Sequence, residues 1–172
     1  MQFSVDETGS EKALRDIKEF GCHVLLILGE GELPPFAYSI GIFREQGAPE
    51  VTVVGLKQEL AHSVVNEYNR RVRSGERFVA GAEYGGFIQG FRCRFEVVAK
   101  AYYKEYFGWG LWLYKTEHFP VLQLVYPNTS GVWPWEDDAT DWFRQRQPIL
   151  TSDGRPNAPV ANPAKSPTPS AR

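Results

Sequence analysis

Apolar residues along positions 36–56 fall into two short runs separated by a polar turn. The first run, Phe36–Phe43, has apolar side chains on both parities, and the second, Val51–Gly55, is β-branched without a polar face. Strands of this kind are covered on both sides, as at the centre of a sheet or in the wall of a small barrel. Gly41 inside the first run indicates a bend or bulge of the strand, or the close approach of a ligand. We prefer the bend, which is the commoner cause.

Two stretches have the period of an amphipathic helix. Thr8 and Glu11 form a capping box, apolar residues then recur at helical spacing, and Gly21 ends the pattern. In the second stretch apolar residues recur every four positions, and arginines gather near its end, where they suit the helix dipole. The pattern therefore predicts a long helix over Lys57–Ser74.

Four other stretches have the composition of strands. Cys22–Leu28 is a continuous apolar run, and Phe78–Ala80 is a short one that precedes the glycine-rich turn Gly81–Gly86. Phe91–Val97 alternates strictly between apolar and charged residues, which predicts one face in the core and the charged face in water. Phe119–Tyr126 is the last core strand, with its proline confined to the start.

The composition changes twice in the last part of the chain. Lys100–Lys115 is rich in aromatic residues, and Gly108 divides it into two short helical turns. From Pro148 onwards proline and polar residues replace apolar ones, as is typical of disorder. The chain is therefore divided into a flexible leader over residues 1–9, a single globular domain over residues 10–147 and a disordered proline-rich tail over residues 148–172.

The order of these elements predicts an α+β fold. We expect a mixed, mostly antiparallel sheet of five or six strands, either open or curled into a partial barrel, with one long helix packed on it. A chain of 172 residues with 42% hydrophobic residues supplies a core that needs no metal ion or disulfide.

Charge and cysteine content narrow the class of protein. The net charge is −2, which gives no electrostatic footprint for nucleic acid or for an anionic membrane. Cys22 and Cys93 lie in predicted buried strands, and two buried thiols are typical of a reducing compartment. The N-terminus lacks the pattern of a signal peptide, and no apolar run is long enough to span a membrane. A soluble, cytoplasmic protein is expected.

The residues that usually carry catalysis are few and scattered. None of the three histidines, His23, His62 and His118, has metal-ligand spacing to another histidine or to a cysteine. His23 sits in an apolar strand, His62 lies on the water-facing side of the long helix, and His118 follows Glu117. No nucleophile elbow or phosphate loop occurs. We assign no catalytic residue and no metal site from the sequence, and no cofactor follows from it.

Aromatic residues are the unusual feature, at 14% of the chain. They gather in two stretches on either side of the last strand, where they fill the core or form a surface that recognises a small molecule or a protein partner. Their loop setting favours exposure of Trp133 and Trp135. The residues predicted to bind a ligand or partner are Trp109, Trp112, Tyr114, His118, Trp133 and Trp135.

Several separated motifs resemble a known family. The stretches PPFAYSIGIF, APEVTVVGL, ELAHSVVNEYNRRVRSGERF, YYKEYFGWGLWLY and FPVLQLVYPNTSGVWPW are similar to a bacterial family known as domain of unknown function 4262. The resemblance implies no activity. Relatives often carry a tryptophan where this chain has Cys22 and a histidine where it has Ala48. A catalytic role of that histidine would therefore be lost here.

Three functions stay open on the sequence alone. The first is a non-catalytic binding protein that uses the aromatic surface. The second is a flavin (FMN)-binding protein or oxidoreductase, because the order of elements and the step Gly75-Glu76-Arg77-Phe78 weakly resemble flavin-reductase split barrels. The third is a hydrolase or transferase in which His23 or His118 acts with a nearby carboxylate.

Overall fold

A computed structural model describes residues 6–161 of the chain. The helices are α1 (Glu7–Phe20), α2 (Ile42–Gln46), α3 (Gln58–Arg73), α4 (Tyr103–Tyr106), α5 (Gly108–Tyr114) and α6 (Asp141–Arg146), with a 3₁₀ turn at Lys100–Tyr102. The strands are β1 (His23–Ile27), β2 (Phe36–Ile40), β3 (Glu50–Val54), β4 (Glu83–Ile88), β5 (Phe91–Val97) and β6 (Val121–Val125). No helix within residues 6–161 has the length and apolar character needed to cross a membrane.

The six strands form one mixed sheet in the order β1-β2-β3-β6-β5-β4. Neighbouring strands are antiparallel except for β3 and β6, which are parallel. The fold is therefore α+β with a mixed, mostly antiparallel sheet, which confirms the predicted class. The sheet is not closed into a barrel, because β1 and β4 remain its two open edges.

The two faces of the sheet carry separate parts of the core. Helix α3 lies across one face and buries Val64, Val65 and Tyr68 there. The other face is covered by α1 and by the aromatic helices α4 and α5. Every residue of β2 and β3 is buried, which confirms that the central strands are covered on both sides. The long helix predicted over Lys57–Ser74 is α3.

The chain leaves the central strand earlier than the sequence predicted. Strand β2 ends at Ile40, and Gly41 adopts a φ of 104° and starts the short helix α2 in place of a continued strand. A Cβ atom at Gly41 would lie 2.7 Å from the side chain of Ile17 in α1. Glycine is therefore required by the left-handed turn and by the close packing of α1. The glycine therefore marks the end of the strand and the start of a helix, and not a bulge within a continuing strand.

The fourth strand lies where a turn was predicted. Phe78–Ala80 is irregular, and β4 runs through the glycine-rich stretch that follows it. The prediction that the charged face of β5 lies in water is also wrong. Arg94 and Glu96 are buried, whereas Val97 is half exposed. Strict alternation shows which side chains share a face, but it does not show what covers that face.

The cover on that face comes from residues 148–161, here called the C-terminal segment. Leu150 and Thr151 are buried, and the Gln123 side chain donates to the Pro148 carbonyl at 2.9 Å and accepts from the Leu150 N–H at 2.8 Å. The Val97 N–H donates to Asn157 Oδ1 at 2.7 Å. The ordered chain therefore continues past Gln147, in contrast to the tail expected from its composition. Residues 162–172 of that expected tail lie outside the described part.

Helix α1 begins one residue before the predicted cap. Asp6 is its N-cap and accepts a hydrogen bond from the Gly9 N–H, and Gly21 ends the helix with a φ of 90°. Part of the expected leader therefore belongs to the helix. The rest of the leader, residues 1–5, lies outside the described part.

Candidate functional site

Three side chains meet beside the first predicted aromatic pair. His23 Nδ1 lies 2.8 Å from Asp16 Oδ2, and Lys12 Nζ reaches the same oxygen at 2.8 Å. The imidazole ring lies 6.1 Å from the Trp109 ring, which packs edge-on against Trp112 at 5.5 Å. Strand β1 holds the histidine, α1 holds the carboxylate and α5 holds the indoles. This corner therefore joins a histidine–carboxylate pair to two half-buried tryptophans.

The electrostatics of this corner favour a charged carboxylate. Burial raises the pKa of Asp16, but the hydrogen bonds from Lys12 and His23 outweigh it together and leave that pKa below its ordinary value. An ionised Asp16 orients the His23 ring and fixes which nitrogen carries the proton. A histidine held in this way can serve as a general base where substrate reaches its second nitrogen.

Tyr114, another predicted binding residue, is hydrogen-bonded to a buried carboxylate. Its hydroxyl donates to Glu50 and accepts from the Arg44 N–H at 3.2 Å. Its ring stacks on Phe119 with centroids 4.7 Å apart and meets Phe43 edge-on. Tyr114 is therefore a packing and hydrogen-bonding partner within the fold.

Glu50 is the most densely bonded side chain in this region, and the sequence reading gave it no role. Its carboxylate accepts from Ser39 Oγ at 2.8 Å and from the N–H groups of Gly41, Ile42 and Phe43 at 3.0, 3.2 and 3.1 Å. Glu50 thus caps α2, whose own N-cap residue has no side chain. Burial raises the pKa of Glu50, although the bonds from Tyr114 and the backbone favour its charged form. At 1% exposure it has a structural role.

The second predicted pair lies at a separate place in the fold. Trp133 and Trp135 stack with ring centroids 5.2 Å apart and planes inclined by 9°. The Arg94 guanidinium lies over the Trp135 ring, 5.2 Å from its centroid. The backbone N–H of Trp133 donates to Glu136 Oε2 at 2.6 Å. Both rings are half-buried, so they are less exposed than their loop setting indicated.

The remaining candidates are spread over the molecule. His118 is exposed and its backbone N–H donates to Thr116 Oγ1, while His62 is exposed on α3 as predicted. Both thiols are buried and free, and burial raises the pKa of Cys22 and of Cys93 to about 12. Such thiols are protonated at neutral pH and are poor nucleophiles. Within the described residues, no three His, Cys, Asp or Glu side chains are grouped so as to hold a metal ion.

An open cleft of about 800 Å³ lies elsewhere, at one end of the sheet. Its walls are the loop between β1 and β2, the helix α4, and α6 with Pro148, two residues beyond the end of that helix. We call it the Trp142 cleft, because the indole of Trp142 stands at its side with 69% of its surface exposed. The lining residues are Gly29, Gly31, Glu32, Leu33, Pro34, Pro35, Glu105, Tyr106, Trp142, Gln145, Arg146 and Pro148.

None of the residues predicted to bind lines the Trp142 cleft. Trp142 is the most exposed of the five tryptophans and was not among the predicted residues. Its neighbours in the sequence favour exposure, because Phe143 is the only other apolar residue of α6 and one apolar side chain is enough to anchor so short a helix. Proximity of this short helix to Pro34 and Pro35 is a long-range contact that no local pattern predicts.

The site and the fold together define an α+β protein with an open mixed sheet and an aromatic cleft at one end. The family model described as "Domain of unknown function (DUF4262)" matches residues 16–140. The match covers most of the chain, so the protein belongs to this family, as its motifs indicated. Neither the curated proteins nor the solved structures contain a match to the chain. Cys22 and Ala48, where relatives were expected to differ, are both buried in the core beneath α3.

Proposed function

We propose that this protein is a non-catalytic binding protein and that its ligand occupies the Trp142 cleft. The observation that carries the proposal is the exposed indole of Trp142 beside a cleft large enough for a ligand. Ligand sites commonly measure about 300–1,000 Å³. A tryptophan buries about 150–250 Å² when it is covered, so an indole left in water at a concave site is well placed to recognise a partner.

The lining chemistry supports recognition of an extended, partly apolar ligand. Pro34 and Pro35 stiffen one wall, and Tyr106 lies under the cleft with its ring fixed against Phe36 at 4.8 Å. The Arg146 side chain is held by a bond from its Nε to the Gly55 carbonyl at 2.8 Å. Walls that are ordered before binding lose little conformational entropy when the ligand arrives.

The cleft lacks a nucleophile with an activating base among the described residues. Its lining contains no histidine, cysteine, serine or lysine. The two carboxylates, Glu32 and Glu105, are exposed and suited to pairing with a cation. The predicted aromatic residues Trp109, Trp112, Trp133 and Trp135 remain proposed as secondary contact surfaces.

The test uses full-length protein labelled with 5-fluorotryptophan, which gives one ¹⁹F signal for each of the five tryptophans. Trp142→Phe assigns the signal of interest. The probes are acetylated and amidated tripeptides that contain proline, aromatic or basic residues. We expect such peptides to shift the Trp142 signal first, and we expect Trp142→Ala to weaken binding by at least about tenfold.

The matched control is the pair Trp133→Ala with Trp135→Ala, which is expected to retain binding. Peptides that shift only the signals of Trp133 and Trp135 would place binding on the surface that the sequence predicted. If the probes moved none of the five signals, the proposed cleft would have no support.

A hydrolase or transferase is a second candidate, favoured by the His23–Asp16 pair at 2.8 Å. If this pair is catalytic, the wild type hydrolyses a model ester, His23→Ala and Asp16→Asn lose that activity, and His118→Ala keeps it. Equal rates in the wild type and in His23→Ala would exclude this pair as a catalyst.

An FMN-binding protein was the other alternative, and its support is weaker. The likeness to split barrels depended on the order of elements, whereas the sheet of this protein is open. Purified protein that is colourless and stays unchanged in absorbance on addition of FMN would rule it out.

A further inference from the structure

The chain carries a candidate ligand for the Trp142 cleft in residues 162–172, here called the proline-rich end. Its sequence is NPAKSPTPSAR, with prolines at positions 163, 167 and 169, two basic residues and no acidic residue. Proline restricts a chain to extended, polyproline-II-like conformations before it binds, so such segments dock into aromatic grooves at a small entropic cost.

The Trp142 cleft has the complementary chemistry. The rings of Trp142 and Tyr106 and the side chains of Pro34 and Pro35 supply apolar surface against which prolines pack. Glu32 and Glu105 are exposed at the same cleft, opposite in charge to Lys165 and Arg172. The two carboxylates outnumber the one cation among the described lining residues, Arg146, whose Nε is bonded to the Gly55 carbonyl, so the charge of the lining favours a basic, proline-containing ligand.

The end of the described chain lies within reach of the cleft. Ala161 follows Val160, whose N–H donates to the Gly81 carbonyl at 3.1 Å, just before β4. The register pairs Glu83 with Arg94, Arg94 with Val125, and Phe36 with Val54. Since β3 and β6 are adjacent and parallel, the starts of β4 and β2 lie at the same end of the sheet.

The distance follows from the strand order. Strand β2 is four positions from β4 in the sheet, which amounts to about 19 Å at ~4.8 Å per strand. A segment of eleven residues, the length of the proline-rich end, has a reach of about 34 Å if it is extended at the ~3.1 Å per residue of polyproline II. The segment can therefore reach Pro35, next to the start of β2, with several residues left to lie in the cleft.

We propose that the Trp142 cleft binds the proline-rich end of its own chain, with prolines packed on Trp142 and Tyr106 and the basic side chains paired with Glu32 and Glu105. This inference rests on the proposed function, because it names the class of ligand for the same cleft: a basic, proline-rich peptide. The tether makes the contact intramolecular, with an effective concentration on the order of mM, so a weak site is filled.

The experiment compares full-length chains labelled with 5-fluorotryptophan. In one variant Pro163, Pro167 and Pro169 are all replaced by serine, and in a matched control Ser166, Thr168 and Ser170 are replaced by alanine. We expect the Trp142 signal to shift in the serine variant and to stay in place in the control. A synthetic peptide of residues 162–172, added at mM concentration to the serine variant, is expected to return the signal towards its wild-type position.

Charge reversal provides a second readout. In the double variant Lys165→Glu with Arg172→Glu, we expect the chemical shift of the Trp142 signal to move towards its value in the serine variant. A signal difference that grows with protein concentration would show that the segment comes from a second copy, and it would overturn the intramolecular proposal.

The outcomes separate this inference from the proposed function. If the tripeptide probes shift Trp142 but the serine variant matches the wild type and the peptide of residues 162–172 has no effect, the cleft binds a ligand other than this segment. If neither the probes nor the segment affects Trp142, both proposals fail.

Discussion

Glu50 and Glu96 are two buried carboxylates on the same face of one sheet, and they are stabilised in different ways. Thr52 pairs with Gln123, and Gln123 pairs with Glu96, so these side chains and that of Glu50 point to one side. Glu50 accepts five hydrogen bonds from neighbouring elements, three of them from the start of α2. Glu96 depends on Arg94, 2.9 Å away, and on the Asn157 N–H.

The two sites differ in how completely their polar atoms are bonded. The five polar contacts of Glu50 all have hydrogen-bond geometry. In contrast, Glu96 Oε1 and Arg94 Nε lie 2.9 Å apart but their orientation does not allow a hydrogen bond. The contact between Arg94 and Glu96 is therefore an ion pair and not a hydrogen bond. The carboxylate of Glu50 therefore organises the turn into α2, while that of Glu96 mainly anchors the C-terminal segment to the sheet.

The largest expected effect is that of removing the Glu50 carboxylate. Glu50→Ala leaves its donors in a dry site without an acceptor, and each unsatisfied group costs about 1–3 kcal/mol. We expect the free energy of unfolding to fall by at least about 3 kcal/mol in urea titrations. Glu45→Ala, an exposed change in the same short helix, is expected to stay within about 0.5 kcal/mol of the wild type. A loss below about 1 kcal/mol for Glu50→Ala would contradict this role.

An intermediate effect is expected at Glu96. Glu96→Gln weakens the pairing with Arg94 and the bond to Asn157, and we expect a loss of about 1–2 kcal/mol. Amide exchange at Asn157 should become faster, because its N–H donates to Glu96 Oε2. Replacing the pair together, with Arg94→Gln and Glu96→Gln, should be less destabilising than Glu96→Gln, because no charge is left unpaired and the amide oxygen at position 96 can still accept from the Asn157 N–H. A double variant less stable than the single one would show that the pair itself is favourable.

The smallest effect concerns pH. Burial raises the pKa of both carboxyl groups above their ordinary values, against the hydrogen bonds that favour the charged forms. A raised pKa in the folded state means that the folded chain holds more protons than the unfolded one between the two pKa values. The contribution of each group to stability is therefore greatest at low pH and declines as pH rises from about 4.3, the unfolded glutamate value, through the folded pKa.

The measurement is a series of urea titrations across pH for the wild type, Glu50→Gln and Glu96→Gln. The difference between the wild type and each variant isolates one group from Asp16 and Glu67, whose pKa values are lowered. We expect the stability advantage of the wild type over each glutamine variant to shrink as pH rises. An advantage that grows with pH would reverse the sign and contradict the raised pKa.

The sequence predicts those parts of the fold in which a local pattern determines the outcome. The four-residue spacing identifies α3, and the apolar runs identify β2 and β3 as covered on both sides. The same patterns fail at Gly41, where the position of Ile17 decides the turn, and at Arg94 and Glu96, which a segment some sixty positions away covers. These contacts join residues distant in sequence, and no local periodicity records them.

The candidate site shows the same difference between features that a local pattern determines and features that depend on long-range contacts. Aromatic content pointed to Trp109, Trp112, Tyr114, Trp133 and Trp135, but most of these rings pack against the core or against each other. Trp142 was identifiable as an exposed residue from its polar neighbours, although nothing in the sequence places it beside Pro34 and Pro35. A cleft is a property of the assembled chain, so a list of aromatic residues does not reveal it.

The match to the family ends at residue 140, one position before α6 begins. The sheet and the walls formed by the β1–β2 loop and by α4 fall inside the shared region, whereas Trp142, Gln145, Arg146 and Pro148 fall outside it. The part of the chain that defines the family therefore carries the sheet and two walls of the cleft, whereas the indole that stands at its side belongs to a helix beyond that part.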